Sequence, residues 1–451
     1  MTQPDSPDFT RRDFLRGGSA ATLMTMLGGV ELLAQTNAPP ETKPAGPKVK
    51  VAVIGLGTWG REIVSTLGRL PQADLAAICD TYPASLRRTA SSAPGATQTQ
   101  DYKAILDNKE IKAVIVATPT HQHKDIALAA IKAGKHVYCE APLANNIEDA
   151  RAIALAAKAA KAVLFQAGLQ LRSDPQRHFL LPFIRSGALG QSVMARAQAH
   201  KKQSWRAASP NPEREKELNW RLYKNLSLGL VGEILGHPLD QASWFLNAQP
   251  LAVTGFGSIA FWKDGRDVPD TVQAVFEFPG GVFMHCDATL ANSFDAEYEM
   301  LYGSDAAIML RESKAWMFKE VDSPLLGWEV YARKDSFYKE TGIALVANAS
   351  KSVNQGDQPG PQEAPTNSPL FYALGNFLRN ANDLIAAAEF YKSSYGEDDV
   401  EGLNDHLSKV PRRASAGYLE GFHATVTTIK ANEAILAGKR LEFQPEWYEL
   451  G

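Results

Sequence analysis

Cysteine is scarce in this chain, with Cys79, Cys139 and Cys286 the only three in 451 residues. None forms a CxxC pair or a metal-type cluster, and an odd count at wide spacing excludes a disulfide scaffold. Charge of one sign is also missing. Forty-seven basic against fifty acidic side chains leave a net charge of −3, so nothing favours nucleic acid or an anionic membrane surface as partner. Beyond the first segment no uncharged apolar run is long enough to span a bilayer, and no membrane association is expected after processing. Internal repeats are absent. What remains is a globular composition, 45% hydrophobic and 22% charged, with length for two or three domains.

The first segment reads as an address. Thr10-Arg11-Arg12-Asp13-Phe14-Leu15-Arg16 precedes an apolar, small-residue stretch from Gly17 to Ala34. Paired arginines before a modest apolar region match a twin-arginine export signal over residues 1–35, with the export machinery as partner and a periplasmic destination. Residues 36–47 form a Pro/Ala linker. That export route carries folded proteins, and free dinucleotide is scarce outside the membrane. A nicotinamide cofactor would therefore be loaded before export and retained.

The folded part starts at Lys48. Lys48–Ile54 is a short β-branched run that reads as a buried strand, and it leads into Gly55-Leu56-Gly57-Thr58-Trp59-Gly60 and a helical pattern. GxGxxG between strand and helix is the dinucleotide fingerprint in its required context. Gly55 allows the tight turn, Gly57 lets backbone approach a pyrophosphate, and Gly60 permits close helix–strand packing. Thr58 and Trp59 open the helix whose free N–H groups face the phosphates. A second strand, Leu75–Cys79, ends at Asp80, placed to accept from a ribose 2′-hydroxyl and to repel a 2′-phosphate. Thr81 and Tyr82 are not basic, so NAD is expected over NADP. The other reading of Asp80 is a helix cap or turn residue.

A third strand, Ile111–Ala117, is followed by Thr118-Pro119-Thr120-His121-Gln122-His123. Loops after parallel strands line the cofactor crevice, so Thr118, Pro119 and His123 are cofactor-side candidates. Two histidines two apart without further ligands do not make a metal site, and no metal is expected. The strand His136–Cys139 then leads to Glu140-Ala141-Pro142, with Glu140 also assigned to the cofactor.

The run from Ala117 to Ala144, the Gly187–Gly190 turn, the segment Gly232–Leu246 and the closing stretch Gly421–Phe443 together resemble the Gfo/Idh/MocA oxidoreductase family. The resemblance covers most of the chain after Lys48. It implies a Rossmann NAD-binding domain over 48–165 and an α+β substrate and oligomerisation domain over 166–451, built on an open, mainly antiparallel sheet. A homo-oligomer is expected. One departure is large. The family's Glu-Lys-Pro lysine, which contacts the reacting hydroxyl, is Ala141 here, and a methyl group can neither donate a hydrogen bond nor take a proton. The similar NAD-dependent α-N-acetylgalactosaminidase branch also lacks lysine at this place.

In the second domain, Arg196–Lys201, Ala252–Ile259, Val272–Phe278, Gly281–Ala288 and Ala307–Leu310 read as strands, one sheet face packed on helices and the other facing the cofactor. Asn354–Ser368 reads as a surface loop. Glu233, His237, Asp240 and Trp244 recur at four, three and four residues, one face of a helix, while Pro238 puts the helix start near Gly236. The resemblance makes Glu233 and His237 a catalytic acid–histidine pair, with Asp240 structural. A histidine beside a carboxylate suits acid–base work at neutral pH. Gln170, Arg172, Trp205, Arg206, Trp220 and His237 are substrate candidates, because indole faces beside polar donors match sugar rings. Their bland reading is a basic loop with partly buried tryptophans. Three functions remain open: a sugar or polyol oxidoreductase, an NAD-dependent glycoside hydrolase or lyase working by transient oxidation and elimination, and a binding protein with a vestigial site.

Overall fold

The computed structural model describes residues 47–345, except 313, 328, 330, 331, 333, 338 and 339, and residues 367–451. The export signal and linker, and the Asn354–Ser368 loop up to residue 366, lie outside the described residues. Among those described, the strands form two sheets, one of six and one of ten.

The first sheet contains β1 (Val49–Ile54), β2 (Ala73–Cys79), β3 (Thr97–Thr99), β4 (Ala113–Val116), β5 (His136–Cys139) and β6 (Phe165–Ala167). Their order is β3-β2-β1-β4-β5-β6, all neighbours parallel. β1, β4 and β5 are buried along almost their whole length, which is why they read as unbroken apolar runs rather than alternating ones. Strand order reverses between β1 and β4, and the loops at their carboxyl ends open into the crevice where such sheets bind ligands.

The second sheet contains β7 (Ser192–His200), β8 (Ala252–Ser258), β9 (Thr271–Phe278), β10 (Val282–Thr289), β11 (Glu297–Gly303), β12 (Ala306–Arg311), β13 (Lys314–Lys319), β14 (Lys334–Phe337), β15 (Glu340–Leu345) and β16 (Leu441–Glu442). β7 and β10 run parallel, and the other neighbouring pairs are antiparallel. Alternation is clean: Val272, Ala274, Phe276 and Phe278 enter the core, while Val275 is exposed. The face expected to look at the cofactor borders the cavity only through Gln198 and Tyr298. That outer face carries exposed Phe256, Val275 and Phe283. The ligand cavity forms instead at strand ends on the helix-covered side, because Ala199, Glu299 and Leu310 share the parity of core residues Ala197, Leu301 and Ile308.

β6 runs across residue 165, the boundary read from sequence, and later helices return to the first sheet. Helix Pro369–Tyr395 contributes Leu370, Leu374, Phe377, Leu378 and Leu384 to the core around Val51, Ile63 and Ile115. Helix Tyr418–Ala437 serves both domains. Phe422, Val426 and Ile429 pack beside β4 and β5, whereas Ala431, Ala434 and Ile435 pack under the second sheet.

Candidate active site

The site begins where β1 ends. Gly55 has φ +96°, and a Cβ there would sit 2.6 Å from the carbonyl oxygen of Ala117. A Cβ on Gly60 would come within 1.9 Å of the Gly55 carbonyl oxygen. These two glycines are demanded by the chain itself. Gly57 is different, because a Cβ there meets nothing within 4 Å. It caps helix Thr58–Leu67 without any side chain on the first N–H groups, which leaves an open anion site at a positive helix end. Asp80, directly after β2, accepts from Leu56 N at 2.8 Å and Tyr82 N at 2.7 Å. Each oxygen keeps a lone pair, so Asp80 shapes the loop and can still accept from a ribose.

Across the switch point, Thr118 Oγ1 and Glu140 Oε1 are buried without a partner. Both residues line a cavity of about 470 Å3 between the domains. Open backbone at Gly57, an uncapped helix end and orphaned polar atoms after β4 and β5 fit a dinucleotide laid across the crevice. Pro119 caps the short helix Thr120–Gln122 at the same loop. His123 contributes from behind. It is buried, with Nδ1 3.0 Å from the Pro142 carbonyl and Nε2 2.9 Å from the Thr118 carbonyl, so it ties the two loops together and does not line the cavity.

The cavity's first-domain wall is Trp59, Ala117, Thr118, Thr120, Glu140 and Ala141. Glu140 is only 7% exposed. Its carboxyl fits because position 168 is glycine: a Cβ there would lie 2.6 Å from Oε2. Burial pushes the Glu140 carboxyl up to about 8, against hydrogen bonds from Trp59 and the Ala141 backbone that favour its charged form, and Glu233 adds to the rise. Among the described residues no lysine lines the cavity.

The second-domain wall carries Gln170, Trp220, Glu233 and His237 as expected. The chain forms a π-turn at Val231–Leu235 before the α-helix Gly236–Leu246 starts, as Pro238 requires. Glu233 sits within that turn and not on the α-helix that carries His237. Its Oε2 accepts from Arg221 Nε at 2.8 Å and its Oε1 from Thr120 Oγ1 at 3.3 Å. The acid–histidine pair is therefore not a hydrogen-bonded pair. Burial holds the His237 imidazole below the usual histidine range, with Asp240 and Glu233 pulling weakly the other way, so it is neutral at pH 7.

Three substrate candidates lie off the cavity. Arg172 is consumed by a bidentate pair with buried Asp240, both contacts 2.8 Å, and stacks on Trp244. Arg206 pairs with Glu215, and Trp205 packs on the second-domain core. In their place stand Arg221 and four residues that the sequence reading missed: Arg177, Glu297, Tyr298 and Glu299. The last three come from β11, a strand not read from sequence; its Glu297-Tyr298-Glu299 alternation was the available signal. Arg177, buried, is held by Asp174 Oδ2 at 2.7 Å and donates to Gln241 Oε1 at 3.2 Å, while Gln241 donates to Glu299 at 2.6 Å.

Comparison with known proteins fits this geometry. The model for the oxidoreductase family with NAD-binding Rossmann fold matches residues 49–168, and that for the GFO/IDH/MocA C-terminal domain matches residues 182–309. The chain belongs to the Gfo/Idh/MocA family. Its first domain is the family's NAD-binding domain. Among curated members it is similar to levoglucosan dehydrogenase of Pseudarthrobacter phenanthrenivorans, 30% identical over 42% of this chain and 52% of that one. It is also similar to myo-inositol 2-dehydrogenase of Thermotoga maritima, 26% identical over 60% of this chain and 75% of that one. The match thus spans about half the length of the first relative. Among solved structures, the fold matches an oxidoreductase domain protein from Kribbella flavida (TM-score 0.64, 20% identity, 88% of this chain and 100% of that one). It matches levoglucosan dehydrogenase in complex with NADH comparably (TM-score 0.63, 20% identity, 88% and 99%).

Proposed function

We propose that this chain is an exported oxidoreductase that uses a retained NAD to remove hydride from a hydroxyl-bearing carbon of a sugar or sugar-like polyol. The observation that carries the reading is His237: a neutral imidazole in the wall of a cavity whose opposite wall is the NAD-binding domain. Gly57 and the helix end behind it would hold the pyrophosphate, Asp80 a ribose, and Thr118 and Glu140 the ring end. Bound NAD supplies the hydride acceptor.

His237 takes the hydroxyl proton as the carbon is oxidised. Glu233, fixed by Arg221 and Thr120, adds a negative charge that supports the imidazolium formed. Trp220 offers an apolar ring face, and Gln170, Glu297 and Glu299 offer acceptors to hydroxyls around it. The sugar or polyol class is supported by the names of the relatives, levoglucosan and inositol dehydrogenases. Export and cofactor retention rest on the Arg11-Arg12 signal.

Ala141 favours a second reading. With no lysine in the wall, the same cavity suits redox-neutral cleavage of a glycoside, in which the hydride is returned after elimination. The experiment incubates the holoprotein with levoglucosan, myo-inositol and a panel of simple glycosides, without added nucleotide. Oxidation gives at most one product per bound NAD and accumulates bound NADH. Many products per NAD without NADH would establish cleavage, and no reaction with any member of the panel would remove the sugar assignment.

A further inference from the structure

The Glu140 carboxyl has a place in the fold that the proton chemistry above does not use. A dinucleotide whose ribose lies at Asp80 after β2 and whose pyrophosphate lies at Gly57 after β1 must continue toward β4 and β5. Glu140 is the first residue after β5, nine-tenths buried, with Oε1 unpartnered and the side chain in the cavity wall. Gly168 is hollowed out to admit it. Next to it the family lysine is a methyl group, and the two arginines of the cavity wall are held by other carboxylates, Arg177 by Asp174 and Arg221 by Glu233.

We propose that Glu140 is a proton store linked to the oxidation state of the cofactor: ionised while the positively charged nicotinamide is bound beside it, and protonated once that ring is reduced and neutral. The proposal rests on NAD binding, not on the identity of the substrate. Its balance is complete. The substrate C–H bond breaks with its electron pair passing to the ring, its O–H bond breaks, and that proton passes by way of His237 to the Glu140 carboxylate, which ends as carboxylic acid. One positive and one negative charge disappear together, and no net charge is left in the buried site.

The surroundings support a switch of this kind. Burial, with a push from Glu233, keeps Glu140 protonated near neutral pH, its carboxyl raised to about 8. A neighbouring cation is what would ionise it. The titratable and charged groups around it are few. Glu233 on the π-turn raises it, and Arg221 is already committed to Glu233. On its own strand Tyr138 and Cys139 are both pushed far up by burial and stay neutral. His123, behind the Thr118 loop, is pushed down to about 4 and also stays neutral. His237 across the cavity is held below its usual range.

The test needs no substrate. Dissociation constants of NAD and NADH are measured on the apoprotein between about pH 6 and pH 9.5, with calorimetry in two buffers of different ionisation enthalpy to count protons. Binding NAD should release a proton and tighten up to tenfold per pH unit until about pH 8, then level off, while NADH affinity stays flat. In Glu140→Gln both curves should be flat. In His237→Ala the NAD slope should persist, and in Glu233→Gln its upper limit should move to lower pH. A pH-independent NAD to NADH affinity ratio in the wild type overturns the proposal, as does a slope that survives Glu140→Gln. Either result leaves the sugar oxidation reading standing, and failure of that reading leaves the slope untouched. Melting curves of the Glu140→Gln apoprotein establish that it is folded.

Discussion

The guanidinium carbon of Arg214 sits 4.4 Å from the centroid of the Tyr82 ring. Arg214 belongs to the short helix Pro212–Leu218 of the second domain, and Tyr82 follows Asp80 by two residues. The second domain therefore reaches past the cavity to the loop that follows Asp80. Arg214→Ala should speed NAD dissociation about two- to fivefold, as expected for loss of a partly exposed cation–π contact. Stopped-flow displacement of NADH reads the rate. An unchanged rate would mean that the contact is decorative.

The three loop glycines should separate by role. Gly60→Ala drives a methyl into the Gly55 carbonyl and should cost about 3 kcal/mol of stability or prevent folding. Gly57→Ala meets only open space in the protein, so thermal stability should change by about 1 kcal/mol or less. Dinucleotide binding should nevertheless collapse, because the added methyl lies where the pyrophosphate must approach. Paired melting curves and cofactor assays decide it. A Gly57→Ala protein that retains NAD would move the phosphate site elsewhere.

His237→Ala should lose roughly 10²- to 10⁴-fold in turnover with cofactor content unchanged, since proton transfer and phosphate binding sit on different domains. The sign of the pH dependence follows from burial. Only neutral imidazole accepts a proton, and its pKa lies below the usual histidine value. The acid limb of the wild-type oxidation rate should therefore fall below about 6.5. A limb above that value would point to another base.

Ala141→Lys restores the family residue but fills the cavity wall between Glu140 and His237 and adds a charge that is costly to bury. Turnover on the natural substrate should fall without NAD release. Steady-state rates with bound NAD quantified provide the comparison. A rise in net NADH formation would show that the site had only been missing its lysine.

The phosphate loop was legible because its constraints are local: strand, glycine spacing and helix start lie within a dozen residues. Glu233 and His237 were also within reach, since the turn and helix around Pro238 declare themselves, and Gln170 and Trp220 belong to a run of polar donors beside indoles. Arg172 looked equally available. Its capture by Asp240, 68 positions away, is a tertiary fact that no spacing encodes. The Glu297-Tyr298-Glu299 alternation could show a strand, but not which way its carboxylates face, for a related reason. They face the cavity only because β11 pairs with β7 in one register, Glu299 opposite Ala197, and a slip by one residue would turn them outward. The Glu233–His237 pair came from the resemblance, and which groups Glu233 binds, Arg221 and Thr120, is again tertiary.

The helix Tyr418–Ala437 also governs how this molecule comes apart. Its first half completes one hydrophobic core and its second half completes the other. A chain severed just before it would leave apolar surface bare on both lobes at once. Heating should accordingly produce one calorimetric peak for two domains, and a protease that frees this segment would cost the protein both walls of its cavity in the same event.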